Sequence, residues 1–158
     1  DGSDTPRFKA LCELFAGAGL RMDATSNIRD EVIRKMLINV TFNPIGAFTS
    51  GTVGEIMDFE PTRALSLKAS EEVLAIASSI GIVIPHDVAR QKLMLAAQIA
   101  GGFKTSMAQD REANKLLEAS LLTGLIEVAQ LTGTSVPFLT AFGAMLELIN
   151  SRTLAASV

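Results

Sequence analysis

The 158-residue sequence has no tryptophan, no tyrosine, one cysteine and one histidine. Without Trp or Tyr it lacks the usual platforms on which single-stranded bases stack. Its formal net charge of −3 leaves no electrostatic footprint for nucleic acid. The lone Cys12 excludes an intramolecular disulfide framework and fits a reducing compartment. The lone His86 follows Pro85, where a solvated or capping role outweighs a catalytic one. No His, Cys and carboxylate set has metal-ligand spacing, and no Gly-x-Ser-x-Gly elbow is present. No apolar run reaches the roughly 18 residues that a membrane span needs. Lys68, Glu71 and Glu72 precede the apolar stretch 73–84, and Glu147 interrupts 138–149. No basic segment leads into an apolar stretch with a small-residue cleavage site, so a signal peptide is not expected. The opening Asp1-Gly2-Ser3-Asp4, in place of Met, reads as the start of a fragment.

What is present is apolar and helical in period. At 48% hydrophobic content, the chain can bury one core, as one domain or one domain plus a piece of another. Residues 7–18 carry Phe8, Leu11, Cys12 and Phe15 on one side, so Cys12 reads as a core thiol, and Gly17-Ala18-Gly19 supplies a C-cap. Leu20 to Ala24 alternates apolar and polar, which predicts a short strand. A lone strand cannot satisfy its own backbone groups. Residues 1–26 therefore read as the tail of an α/β domain, and residues 27–158 as a separate all-α domain.

In that second part Ser26 or Asn27 can cap a long helix reaching about Phe48, which Pro44 should kink near Val40. Thr49-Ser50-Gly51 breaks it, and a short segment, 53–57, follows. Pro61, Pro85 and Pro137 each open a helix, and Gly81, Gly101-Gly102 and Gly133 each close one. Between them, 104–111 is expected to be a polar loop and 112–131 a helix.

Three sets of residues could carry chemistry. Lys35, Asn39 and Asn43 stand four apart, so on a helix they form one polar stripe, each about 40° further round and about 6 Å further along. Their neighbours Met36, Leu37, Ile38, Val40 and Phe42 are apolar, and such a stripe needs solvent or a ligand. By spacing alone a solvated face outweighs a site. The segment from Lys104 to Asp110, behind two glycines, imitates a phosphate cradle but lacks the Gly-x-x-x-x-Gly-Lys-Ser/Thr order. Ser106 within it is weaker still as a hydrolytic nucleophile. Glu118 lies among Leu116, Leu117, Leu121 and Leu122, either as a surface residue or as a buried partner for a cation. Both readings stay open.

In order along the chain these residues resemble a known family. The run from Lys35 through Asn39 to Asn43-Pro44-Ile45-Gly46-Ala47 is similar to the Lys-Leu-x-x-Asn-x-x-x-Asn-Pro-Leu-x-Ala signature of ketopantoate reductases. Lys104-Thr105-Ser106-Met107-x-Gln109-Asp110 resembles their Ser-Ser-Met-x-Gln-Asp loop. Glu118, Gly124 and Val136-Pro137 follow in the family's order. The resemblance extends from about residue 7 to 150.

It implies reduction of 2-dehydropantoate to pantoate with NADPH, in pantothenate synthesis and in the cytoplasm. The implied fold is the helical C-terminal domain of the 6-phosphogluconate-dehydrogenase-like type, preceded by a helix-strand remnant of a Rossmann domain. That domain's Gly-x-Gly-x-x-Gly turn is absent from these residues, so the fragment alone would be inactive. Residue by residue, Lys35 falls on the general acid and Asn39, Asn43 and Ser106 on substrate contacts. Glu118 falls on a carboxylate near the cofactor and the acid. The implied partners are a small 2-oxo acid and a second copy of the chain through the helical domain, with no nucleic acid, membrane or metal.

The sequence also departs from the family. Ile33 replaces a common tryptophan, Ser120 an Asp and Thr123 an Asn. Val53 stands where bacterial members carry a polar substrate contact ahead of Gly54-Glu55. A paralogue acting on another 2-oxo acid is therefore one alternative. A non-catalytic helical interaction module is the other, against which Lys35, Asn39, Asn43, Ser106 and Glu118 all count.

Overall fold

The structure, a computed structural model, describes residues 3–156. They form α1 (Pro6–Gly17), α2 (Ile28–Thr49), α3 (Val53–Asp58), α4 (Glu60–Ser79), α5 (His86–Ala100), α6 (Ser106–Glu112), α7 (Ser120–Thr132) and α8 (Pro137–Ala155). The expected all-α class holds. No strand forms among the described residues; pairing is limited to one isolated antiparallel bridge between Thr52 and Lys104. The strand expected over Leu20 to Ala24 is therefore not formed. Period-two patterning makes a strand only where a neighbour completes the hydrogen-bond ladder, and this segment has none among the described residues.

The chain divides into two compact units, Asp1–Val32 and Ile33–Val158, with the division inside α2. In the first unit Thr5 caps α1 by accepting the Phe8 N–H. Gly19, at φ +71°, ends the helix, with the Leu20 N–H donating to Phe15 C=O and the Gly19 N–H to Ala16 C=O. That pair of bonds is a Schellman motif. No residue of α1 is buried: Leu11, Leu14 and Phe15 are exposed and Cys12 is a half-buried free thiol. Within its own unit Cys12 is half-buried among exposed neighbours, short of the core thiol that its periodic neighbours suggested.

The second unit holds one core. The C-terminal half of α2 is enclosed nearly all round, with Val40, Thr41, Phe42, Pro44, Ile45, Gly46 and Ala47 buried, as befits a helix surrounded by others. α2 continues through Pro44 as one element. It ends at Thr49, whose hydroxyl turns back to Ile45 C=O at 2.8 Å while Ser50 adopts φ 58°. α4 packs against α3, α5, α7 and α8. Phe48 of α2 meets Phe142 of α8 edge-on, at 5.9 Å between ring centroids.

Local signals account for most boundaries. Thr52 and Glu55 form a capping box on α3, Pro61 sits in the first turn of α4 and Pro137 in that of α8, and Gly133 closes α7 at φ 68°. His86, at the start of α5, pairs with Glu71 of α4 on an exposed surface. None of the described helices is long and apolar enough to cross a membrane.

One stretch departs from the sequence expectation. Residues 106–112 are helix, not loop, and residues 113–119 are irregular, not helix. Thr105 caps α6 through the Ala108 N–H, and Asn114 at φ 53° stops the chain from running on into α7. Asn tolerates this left-handed conformation better than most side chains, and one such residue ends a helix.

Candidate functional site

The polar stripe of α2 is the one strip of its C-terminal half that escapes burial. Lys35 is exposed and Asn39 and Asn43 are half-buried, while Leu37, Val40, Phe42 and Ile45 beside them are core. Among the described residues the side chains of these three take no hydrogen-bond or ion-pair partner. Two amides and an ammonium, each with unused donors, thus share one helix face.

α6 is held against α2 near both its ends. At the N-terminal end, the buried Thr105 side chain packs on Gly46, where a Cβ would come within 2.7 Å of the Thr105 hydroxyl oxygen. At the C-terminal end, Arg111 donates to the carbonyl of Ala47, one of the acceptors that a helix C-terminus leaves without an intrahelical partner. Ahead of α6, Lys104 accepts from Gln109 through its C=O at 3.0 Å and pairs with Glu112 through its side chain. These ties bring Met107, buried, against the α2 stripe. Ser106, exposed at the first position of α6, is adjacent in sequence but does not line the same crevice.

Glu118 lies in the irregular segment before α7, not on a helix as expected. There Leu117 donates its N–H to Asn150 Oδ1 at 2.7 Å, and Asn150 Nδ2 donates to Leu117 C=O at 2.9 Å. With its side chain 4% exposed and both backbone groups satisfied by α8, Leu117 is anchored. Glu118 itself is exposed among the described residues, and none of them presents a cation to it. Its carboxylate accepts from the Ser120 hydroxyl at 3.4 Å.

These pieces meet in a narrow crevice lined by Asn39 and Asn43 from α2, Met107 from α6, Glu118, and Leu121 and Leu122 from α7. Its free space, about 10 Å³, is room for about one water. The wall is apolar and the polar groups are two neutral amides and one carboxylate, a set suited to orienting one small polar molecule. Lys35 stands one turn before Asn39 and outside the lining. Val53 is also outside it, buried at the first position of α3 with its N–H donated to Phe103 C=O.

A larger groove of about 500 Å³ opens between α3 and α5. Two of its three charged groups are already engaged: Glu55 accepts the Thr52 N–H at 2.7 Å and Arg63 donates to Met57 C=O at 2.9 Å, while Asp58 is exposed at its rim. The Glu55 carboxyl is held below its ordinary range chiefly by the Thr52 backbone bond, then by the Thr52 hydroxyl, with a smaller pull from Lys104. Among the described residues no group of three or more His, Cys, Asp or Glu could hold a metal ion.

Sequence reasoning found Asn39, Asn43 and Glu118 and missed Met107, Leu121 and Leu122 as walls. It also missed Asn150 and Arg111, which build the site from a distance. No local pattern marks either, because each acts on backbone groups of a segment far away in sequence.

Residues 27–150 match the profile of the family described as Ketopantoate reductase PanE/ApbA C terminal. Over 145 residues the chain is 34% identical to the 2-dehydropantoate 2-reductase of Mesorhizobium japonicum, covering 91% of this chain and 44% of that protein. Similar solved structures include a PanE/ApbA family ketopantoate reductase from Ralstonia eutropha JMP134. It has a TM-score of 0.87 and 26% identity, over 95% of this chain and 50% of that one. Another is the 2-dehydropantoate 2-reductase from Methylococcus capsulatus, at a TM-score of 0.84 and 26% identity, over 94% of this chain and 48% of that one. The chain thus spans about half the length of the relatives it matches.

Proposed function

The chain belongs to the ketopantoate reductase C-terminal family, and from that membership we propose that it is the substrate-binding part of an NADPH-dependent reductase converting 2-dehydropantoate to pantoate. The observation that supports the reading is which residues converge, since the crevice itself admits about one water and a substrate would lie over its polar rim. Asn39 and Asn43 on one helix and Glu118, from a segment far along the chain, face one space just beyond Lys35.

The chain's own residues fit one edge of the nucleotide only. Glu118 offers an exposed carboxylate that can accept from a ribose hydroxyl or a carboxamide. No Gly-x-Gly-x-x-Gly turn for the pyrophosphate occurs in these residues, so this reading puts the rest of the nucleotide on polypeptide beyond them. NADPH, when bound, supplies the hydride.

The residues of this chain do the remaining work. As negative charge develops on the ketone oxygen, an ammonium within hydrogen-bond reach stabilises it and delivers the proton. Lys35, exposed beside the crevice, is that group. Asn39 and Asn43, whose donors are free, hold the carboxylate and hydroxyl of the substrate without adding charge. Ser106, exposed at the start of α6, supplies a further hydroxyl. Met107, Leu121 and Leu122 add an apolar border against which the substrate's methyl groups can pack.

The test is turnover by the full-length parent protein, followed as NADPH absorbance with ketopantoate. In that protein Lys35→Ala should lower turnover by at least about two orders of magnitude. A loss of only a few-fold would return Lys35 to an ordinary solvated face. Turnover of a different 2-oxo acid alone would assign a paralogous substrate, and the burial of Val53 would then be the first place to look. No turnover and no NADPH binding would overturn the reductase reading.

A further inference from the structure

We propose that Asn150 is a positioning residue for Glu118, acting through the peptide group that joins Leu117 to Glu118. The inference rests on the role proposed above for Glu118 and goes beyond it.

Residues 113–119 run between two helices; the Lys115 N–H is the last to return to α6, at Asp110 C=O, and 116–118 have no helical hydrogen bonds of their own. A backbone N–H and C=O so placed need partners from elsewhere. For Leu117 both come from one side chain, 33 residues away on α8. The carboxamide of Asn150 accepts at 2.7 Å and donates at 2.9 Å, a two-point clasp that a single-bond contact could not reproduce. The carbonyl it holds belongs to the same peptide unit as the Glu118 N–H. Fixing that plane, with the Leu117 side chain in the core, fixes the Glu118 Cα, the point from which its side chain reaches toward the crevice. Nothing else described does this as firmly, since the Ser120 contact, at 3.4 Å, is at the weak limit of a hydrogen bond. The carboxamide is also specific. An aspartate could accept the Leu117 N–H, but its second oxygen would face the Leu117 carbonyl with no proton to share.

Two measurements on the full-length protein test this, using Asn150→Ala, Glu118→Gln and the double variant. Asn150→Ala should lower kcat/KM about tenfold where Glu118 is intact, since small misplacements of a positioned group are costly. In the Glu118→Gln background the same change should cost less than about twofold, because the group being aimed is gone. Hydrogen exchange at the Leu117 amide should quicken with Asn150→Ala and stay unchanged with Glu118→Gln. Equal fold-losses in both backgrounds, or an unchanged Leu117 amide, would overturn the proposal in favour of a role in stability alone. If Asn150→Ala does not fold, Asn150→Asp carries the same comparison. If the unsubstituted protein turns over no 2-oxo acid, the reductase reading fails and this inference with it. Normal turnover without the non-additivity defeats this inference alone.

Discussion

The carboxylate of Glu72 on α4 accepts the backbone N–H of Leu139 at 2.8 Å, across 67 residues of sequence. Its other oxygen accepts the N–H of Phe138 at 2.9 Å. α8 has no side-chain cap of its own, so a buried carboxylate from another helix takes the donors that its first turn leaves open. The charge also meets the positive end of the helix dipole. This bond ties α8, which carries Asn150, to the helix that packs against α3, α5 and α7.

Replacing Glu72 by Gln should therefore destabilise the fold by about 1–3 kcal/mol, since one oxygen becomes a donor facing a buried donor. Urea unfolding should show a lower midpoint with an unchanged m-value. An unchanged midpoint would mean that the N–H groups of Phe138 and Leu139 find other partners.

Gly54 is tested by adding a methyl group. Its N–H donates to Gly101 C=O at 3.0 Å, and a Cβ there would lie 2.7 Å from that oxygen and 3.1 Å from Gly101 Cα. Both are backbone atoms, so neither can swing aside. Gly54→Ala gains helix propensity but overpacks this contact, and a net loss of about 1–2 kcal/mol is expected. Calorimetry or urea titration measures it, and a gain in stability would show that α3 and α5 can slide apart at no cost.

The pH dependence around α3 has a definite sign. Glu55 has its carboxyl lowered from an ordinary value of 4.5, chiefly by the Thr52 backbone bond. A carboxyl lowered in the folded state binds fewer protons there than in the unfolded one. Its contribution to stability is present above 4.5 and is lost as pH falls through the lowered value. Melting curves from pH 7 downward should show the wild type losing its advantage over Glu55→Gln in that acid range. Parallel curves throughout would exclude Glu55 as a source of acid sensitivity.

The family's Gly-Glu pair illustrates how far sequence reading reached. Gly54 and Glu55 stood out only as neighbours of Val53, whereas the structure gives each its own task, a close backbone approach and a capping box. The partners that define those tasks are Gly101, far along the chain, and Thr52, three residues away. The second was legible as a local motif. The first was not.

The same division runs through the molecule. Pro61, Pro137, Gly19 and Gly133 mark helix ends in the sequence itself, because fixed φ, a missing N–H or a permitted positive φ are properties of single residues. The apolar surroundings of Asn39 and Asn43 likewise showed a polar stripe before any fold was known. What the sequence could not determine was the stretch 104–119. There Gly46 admits Thr105, Ala47 receives Arg111, Asn150 grips Leu117, and Asn114 turns the chain out of helix. Three of those four arrangements satisfy or pack groups across long sequence separations. Whether Glu118 continues a helix or faces Asn39 and Asn43 was therefore decided by tertiary packing, since only the folded chain brings those partners within bonding distance.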